Sequence, residues 1–128
     1  MRILLTEDDD SVRTFVSRAL ELDGHTVETA CHGVEALDRL KAQDGGYDLL
    51  VTDVKMPLMD GIALAHEVSG QWPGLPILLM TGFADQRERA EDLAEVIRDV
   101  LTKPFTLQQI RNAVTEAAED RSEVEKAA

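Results

Sequence analysis

Cysteine is almost absent from this sequence, and so are several other features that define whole classes of proteins. The 128 residues include one cysteine, Cys31, which excludes an internal disulfide and a cysteine zinc site. The three histidines, His25, His32 and His66, match no metal-binding spacing. The apolar runs are about as long as a strand, so membrane insertion is not expected, and the apolar stretch at the N-terminus is too short for a signal peptide. We therefore expect one globular domain in the cytosol.

Positive charge is also scarce in this chain. Lysine and arginine total 13 against 25 aspartates and glutamates, which gives a formal net charge of −12 at pH 7. This balance argues against direct binding of nucleic acid or of an anionic membrane. Two interpretations of the acidic excess stay open: it keeps the chain soluble, or some of the carboxylates cluster to hold a cation.

Short apolar runs alternate with segments of helical periodicity along the chain. The runs predict strands at residues 3–6, 47–52, 77–81 and 99–102, and an alternating stretch predicts another at residues 26–30. The periodic segments predict helices at residues 12–22, 33–42, 62–68, 84–94 and 107–118, the first capped by Asp10 or Ser11. Five strands alternating with five helices predict an α/β fold, a doubly wound five-stranded parallel sheet covered on both faces. We expect this domain to span residues 1–119 and residues 120–128 to form a flexible tail.

Four of the predicted strands lead directly into reactive side chains. The first is followed by Glu7 and Asp8, the third by Asp53 and the fifth by Lys103, and the fourth ends in Thr81. Because open parallel sheets bind ligands beyond the carboxyl ends of their strands, we expect these residues to share a pocket. Three neighbouring carboxylates need a compensating cation, and a set of oxygen ligands suits a hard ion such as Mg²⁺.

Asp53 stands at the end of an apolar run, in the sequence LVTDVKMP. A carboxylate held beside Mg²⁺, an ammonium and a hydroxyl is suited to attack a phosphoryl donor and form an aspartyl phosphate. Mg²⁺, Lys103 and Thr81 would offset the charge of the transferred group.

Four motifs in this order resemble the receiver domain of bacterial two-component response regulators, which has a CheY-like, flavodoxin-like fold. They are ILLTEDD at residues 3–9, VTDVKMPLMDG at 51–61, PILLMTGF at 76–83 and LTKPF at 101–105. Together they extend the resemblance over roughly residues 2–118.

The resemblance implies a role for each reactive residue. Asp53 would be the phosphoacceptor, and Glu7, Asp8, Asp53 and the backbone carbonyl of Lys55 would bind Mg²⁺. Thr81 and Lys103 would contact the phosphoryl group. Pro104, after the lysine, is often preceded in this family by a cis peptide bond. The family also implies a signalling module that catalyses only its own phosphorylation and dephosphorylation, not an enzyme with a separate substrate.

The chain departs from the family pattern at Val100. Receivers commonly carry tyrosine or phenylalanine three residues before the lysine, where the ring rotates during switching. Valine has no ring to rotate, so this form of coupling is not expected here. Phe83 is a candidate substitute, although it also suits a role as a loop residue covering the core.

The expected partners are proteins. A histidine kinase or histidine phosphotransferase would supply the phosphoryl group. The protein is expected to be a monomer or weak dimer. Since no DNA-binding domain is expected to follow, it would signal by contact with a downstream target protein. Among stand-alone receivers the sequence is most similar to the CpdR group of alphaproteobacteria, which implies cell-cycle control through ClpX and the ClpXP protease. The alternatives are a phosphorylation-independent adaptor with a receiver fold, a stand-alone phosphorelay intermediate and a chemotaxis-type regulator.

Overall fold

The structure, a computed structural model, describes residues 1–56, 58–82, 97 and 99–127. The strands in these ranges are β1 (Arg2–Thr6), β2 (Thr26–Ala30), β3 (Leu49–Asp53), β4 (Ile77–Thr81) and β5 (Asp99–Thr102). The helices are α1 (Asp10–Leu22), α2 (Gly33–Ala42), α3 (Gly61–Gln71) and α4 (Leu107–Ala127). The helix predicted at residues 84–94 and the side chain of Phe83 lie outside the described residues. Across the part that is described, every helix is too short or too polar to cross a membrane.

The strands form one parallel sheet in the order β2-β1-β3-β4-β5. Leu4 of β1 is paired with Leu50 of β3, which in turn is paired with Ile77 of β4. β1 lies between β2 and β3, so the chain adds strands first on one side of β1 and then on the other. The predicted doubly wound α/β sheet is confirmed, and its switch point lies between β1 and β3.

The sheet is covered on both faces because its central strands are apolar along their whole length. Every residue of β3 and of β4 is buried. Leu4, Leu50 and Leu79 point into a cluster under α2 and α3, whereas Leu5, Val51 and Leu78 point into a second cluster under α1 and α4. Each fully buried leucine of this kind stabilises the fold by about 1.5–3 kcal/mol, so the sheet is a rigid platform for its loops.

The N-terminus of α1 differs from the prediction by one or two residues. Asp9, rather than Asp10 or Ser11, is the N-cap, and its Oδ1 accepts a hydrogen bond of 3.0 Å from the amide of Val12. Asp10 is the first helical residue and forms an ion pair with Arg13. Three consecutive aspartates are equally able to cap a helix, and the cap is the one whose backbone is extended.

The C-terminal helix is longer than predicted. α4 continues past Ala118, where the prediction ended it, to Ala127. Residues 119–127 lack an apolar face, which predicts little packing, but they contain neither proline nor glycine and consist largely of residues with good helix propensity. The domain boundary at residue 119 stays a prediction. α4 is fastened to α1 by Arg111, whose Nε and Nη2 lie 3.0 and 2.6 Å from Asp23 Oδ1.

A glycine lies where α2 leads into β3. Gly45 has a φ of +69°, and a Cβ atom there would lie 2.3 Å from Cδ1 of the Trp72 ring, at the end of α3. The Gly45 amide donates a hydrogen bond of 2.8 Å to the carbonyl of Leu40 and so ends α2. Both the positive φ and the close approach of the ring therefore require glycine.

Gly45→Ala is expected to lower the free energy of unfolding by about 1–3 kcal/mol, because the added methyl group overlaps Trp72 and the backbone is strained. Gly70→Ala is the control: Gly70 is inside α3 with no atom near its missing Cβ, and alanine there should raise stability by about 0.5–1 kcal/mol. Urea unfolding followed by circular dichroism measures both. Equal effects of the two substitutions would contradict the packing described for Trp72.

Candidate functional site

The acidic residues predicted to converge are brought together at the carboxyl end of the sheet. Glu7 and Asp8 follow β1, and Asp53 ends the neighbouring strand β3. Carboxylate oxygens of these three residues all lie within 4.8 Å of one another. Glu7 is completely buried and Asp53 almost so, whereas Asp8 is exposed. The site therefore has a buried floor of two carboxyl groups and an acidic rim.

Lys103 joins the two buried carboxylates. It follows β5, and its Nζ lies 2.8 Å from Glu7 Oε2 and 3.2 Å from Asp53 Oδ2. Its backbone amide donates a hydrogen bond of 2.7 Å to the carbonyl of Thr81, at the end of β4. The peptide bond between Lys103 and Pro104 is cis, as the family resemblance implies. The ammonium thus reaches across β4 to the floor between β1 and β3.

Asp53 is held by the backbone on its own side of the cleft. Its Oδ1 accepts a hydrogen bond of 2.9 Å from the amide of Val54, while Oδ2 faces Lys103. Gly61, the first residue of α3, approaches so closely that a Cβ there would lie 2.1 Å from the Asp53 carbonyl oxygen. Thr81 is fully buried and lies one residue beyond Met80, the β4 partner of Asp53.

Two contacts to Glu7 were not predicted from the sequence. Arg13 Nη1 donates a hydrogen bond of 2.9 Å to the Glu7 carbonyl, and the Asp9 amide donates one of 3.1 Å to Glu7 Oε1. The spacing of Asp10 and Arg13 on α1 signals the ion pair between them but not the contact with Glu7. Together these contacts orient the turn that carries the buried acid.

Burial is the main influence on the titration of Glu7. It raises the pKa of this carboxyl group from 4.5 to about 7; the hydrogen bond from Lys103 opposes the shift and the negative charge of Asp53 adds to it. Burial lowers the pKa of Lys103, but the hydrogen bond with Glu7 and the charges of Asp53 and Glu7 outweigh it, so the net shift is upward. Lys103 is therefore an ammonium at neutral pH, whereas Glu7 is close to its midpoint.

These side chains surround an open cleft of about 440 Å³. Its lining consists of Glu7, Asp8, Asp9, Val12, Asp53, Lys55, Gly82 and Lys103. The three clustered carboxylates offer only oxygen ligands, which fits a hard divalent cation such as Mg²⁺. Lys55 lies at the exposed mouth of the cleft, and the role predicted for its backbone carbonyl stays a prediction.

Val100 lies in β5, at the position where the family pattern has an aromatic residue. Its side chain is partly buried and packs against the apolar cluster under α2 and α3. Its amide donates a hydrogen bond of 2.8 Å to Asp99 Oδ1. An aliphatic residue that packs on the core has no aromatic ring to swing between a buried and an exposed position.

Similarity to known proteins assigns this fold and site to a protein family. Residues 3–115 match the family model described as the response regulator receiver domain. The chain belongs to this family. The receiver domain is 41% identical over 113 residues to the response regulator receiver protein CpdR of Brucella abortus, and the match covers 88% of the chain and 92% of CpdR.

Two further relatives of this receiver domain differ in how much of their own length they share with it. The sensor kinase CckA of Brucella abortus is 38% identical over 117 residues, and the match covers 91% of the chain but 12% of the kinase. The solved structure of TrrA from Thermotoga maritima, a response regulator protein in complex with Mg²⁺ and BeF, superposes with a TM-score of 0.81 at 26% identity. That superposition covers 91% of the chain and 97% of TrrA.

Glu7→Gln is expected to stabilise the metal-free receiver domain at pH 8. The folded state raises the pKa of Glu7 from 4.5 to about 7, so it binds the proton more tightly than the unfolded state does, and stability falls as the pH rises through this range. Glutamine removes the buried charge, and the free energy of unfolding should rise by about 1–2 kcal/mol at pH 8 and much less at pH 5.

Urea unfolding in the presence of a chelator at both pH values measures this difference. Glu116→Gln, on an exposed position of α4, is the matched control and should change stability little at either pH. A Glu7→Gln variant that is less stable than the wild type at pH 8 would show that Glu7 stabilises the fold as a charged partner of Lys103.

Proposed function

We propose that this receiver domain accepts a phosphoryl group on Asp53 with the help of Mg²⁺ and signals by contact with another protein. The observation that carries the proposal is the position of Lys103, whose Nζ lies 2.8 Å from Glu7 and 3.2 Å from Asp53. A purely structural ion pair needs one carboxylate. Here a single ammonium contacts two buried carboxylates beside a third, exposed one. This arrangement is suited to balance the negative charge that a phosphoryl group adds to the site and later removes from it.

Asp53 has the position that a nucleophile requires. It ends a buried strand, it opens onto the cleft, and its Oδ1 is oriented by the amide of Val54. In the proposed step a carboxylate oxygen of Asp53 forms a bond to phosphorus while the bond from phosphorus to the donor breaks, and the donor leaves with that electron pair. Lys103 would then pair with the negative oxygens of the transferred group, and Thr81 would donate a hydrogen bond to one of them.

The acidic residues supply the proposed metal site. Glu7, Asp8, Asp53 and the carbonyl of Lys55 would hold Mg²⁺, which supplies positive charge to the phosphoryl group during transfer. The oxygen-only ligand set supports this choice of ion. The related TrrA structure, a complex with Mg²⁺ and BeF, supports it as well.

Incubation with acetyl phosphate and Mg²⁺ should add the mass of one phosphoryl group to the wild type. Asp53→Asn should abolish the adduct, because an amide is a far weaker nucleophile than a carboxylate. Asp38→Asn, the same change at an exposed position of α2, is the matched control and should leave the adduct intact. Intact mass spectrometry with and without a chelator reads the result. An adduct that persists in Asp53→Asn would place the acceptor elsewhere.

We further propose a role in the cytoplasm like that of CpdR regulators. The similarity to CpdR from Brucella abortus, which extends over 92% of that protein, supports this role. The phosphoryl donor would be a histidine kinase or histidine phosphotransferase, and the target would be ClpX in the ClpXP protease, contacted by the unphosphorylated form. The receiver domain would be a signalling module whose own chemistry is limited to gaining and losing the phosphoryl group.

Binding to purified ClpX should be strong for the unphosphorylated protein and weaker by about tenfold after treatment with acetyl phosphate, a difference of about 1.4 kcal/mol. Asp53→Asn should bind ClpX with or without acetyl phosphate. Fluorescence anisotropy of the labelled receiver domain measures the affinities. Binding that acetyl phosphate leaves unchanged would favour the phosphorylation-independent adaptor, and no binding would direct the search to a phosphorelay or chemotaxis-type partner.

A further inference from the structure

A polar groove lies between α1 and β2, at the edge of the sheet. It has a volume of about 290 Å³, and the residues that line it are Arg13, Thr14, Ser17, Arg18, Glu21 and Thr29. Thr29 faces α1 because Val27, two positions earlier in β2, packs on the cluster under α1 and α4, and alternate residues of a strand lie on the same side. The groove shares no lining residue with the acidic cleft, so it is a separate cavity.

All six side chains that line the groove are polar, which limits what it can hold. A nucleobase needs an aromatic side chain to stack on, and a lipid tail needs an apolar wall to cover. The groove offers guanidinium, hydroxyl and carboxylate groups instead. This composition favours a small ligand that is polar over its whole surface.

Arg18 supplies a positive charge that is available to a ligand. Although the chain has an excess of acids, no salt bridge within the described residues includes this exposed arginine. Arg13 is already engaged, since it forms an ion pair with Asp10 and donates a hydrogen bond of 2.9 Å to the carbonyl of Glu7. Arg18 is therefore the cation of this groove that is able to contact both oxygens of a carboxylate.

Glu21 places a negative charge three residues beyond Arg18. Opposite charges at this spacing on a helix, with Cβ atoms about 5–6 Å apart, are close enough to pair. In the structure, however, Glu21 accepts a hydrogen bond of 3.0 Å from the hydroxyl of Ser17. The groove thus presents two separate charges of opposite sign. Glu21 would repel a phosphate dianion, whereas a ligand with one carboxylate and one ammonium group matches both charges.

We propose that this groove binds a small zwitterion with the chemistry of a free α-amino acid. The carboxylate of the ligand pairs with the guanidinium of Arg18, and its ammonium group pairs with the carboxylate of Glu21. Because both side chains are exposed to water, the expected Kd is about 1–10 mM. The site uses no group of the acidic cleft, so it goes beyond the proposed function and does not depend on phosphorylation.

Three small molecules of similar size test the proposal by titration of ¹⁵N-labelled wild-type protein at constant ionic strength. L-Alanine should shift the amide signals of Thr14, Arg18, Glu21 and Thr29 together, with one saturating curve. Propionate lacks the ammonium group and L-alaninamide lacks the carboxylate, so each should bind more weakly by about fivefold. Equal binding of the three molecules, or no saturating shifts at these residues, would overturn the proposal.

Two variants locate the contacts. Arg18→Gln should weaken both alanine and propionate by about fivefold, whereas Glu21→Gln should weaken alanine alone, because propionate has no ammonium group to lose a partner. Lys41→Gln, which removes a positive charge at an exposed position of α2, is the matched control and should bind alanine like the wild type. Full binding of alanine by Arg18→Gln, or equal loss of both molecules in Glu21→Gln, would overturn the proposal. Failure of acetyl phosphate to modify Asp53 would leave these outcomes unaffected.

Discussion

The structure depends on one ammonium placed between two buried carboxyl groups. Glu7 and Asp53 end adjacent strands, and burial of two carboxylates so close together would be strongly unfavourable without a counter-charge. Lys103 supplies this charge from β5, on the far side of β4. Because the strands of the sheet run parallel, β1, β3 and β5 end at the same edge and bring these three groups together. A change in the charge of any one of them unbalances the other two.

The apolar core stabilises the fold enough to offset the free-energy cost of burying these carboxyl groups. Two clusters of buried aliphatic residues, one on each face of the sheet, hold the central strands in register. The loops at the carboxyl edge are therefore attached to a rigid platform, and the carboxyl groups cannot separate to relieve their repulsion. The acidic cleft opens at this same edge, so any change in charge at Asp53 lies next to these loops.

Much of the fold could be predicted from residue patterns, and the failures have local causes. The bounds of β2, β4 and β5 agree with prediction, because the alternating residues of β2 and the short runs of β4 and β5 are flanked by turn residues. The predicted N-cap of α1, Asp10 or Ser11, is wrong, since neighbouring polar residues have similar capping chemistry and backbone conformation alone selects Asp9. The helix α4 extends beyond its predicted end, because helix propensity continues after the apolar face is lost. Val100 departs from the family pattern, and residue identity alone is enough to exclude a rotating ring.

The sequence by itself determined which reactive residues lie at strand ends, because an acid, hydroxyl or ammonium after an apolar run is a local pattern. It thereby determined that Glu7, Asp8, Asp53, Thr81 and Lys103 share one edge of the sheet. Only the tertiary structure decided which of them touch, since Glu7 and Lys103 are 96 positions apart and meet through strand order and side-chain reach. The raised pKa of Glu7 and the shape of the acidic cleft were decided in the same way. Burial and cavity shape arise from elements that are distant along the chain, and no local pattern contains them.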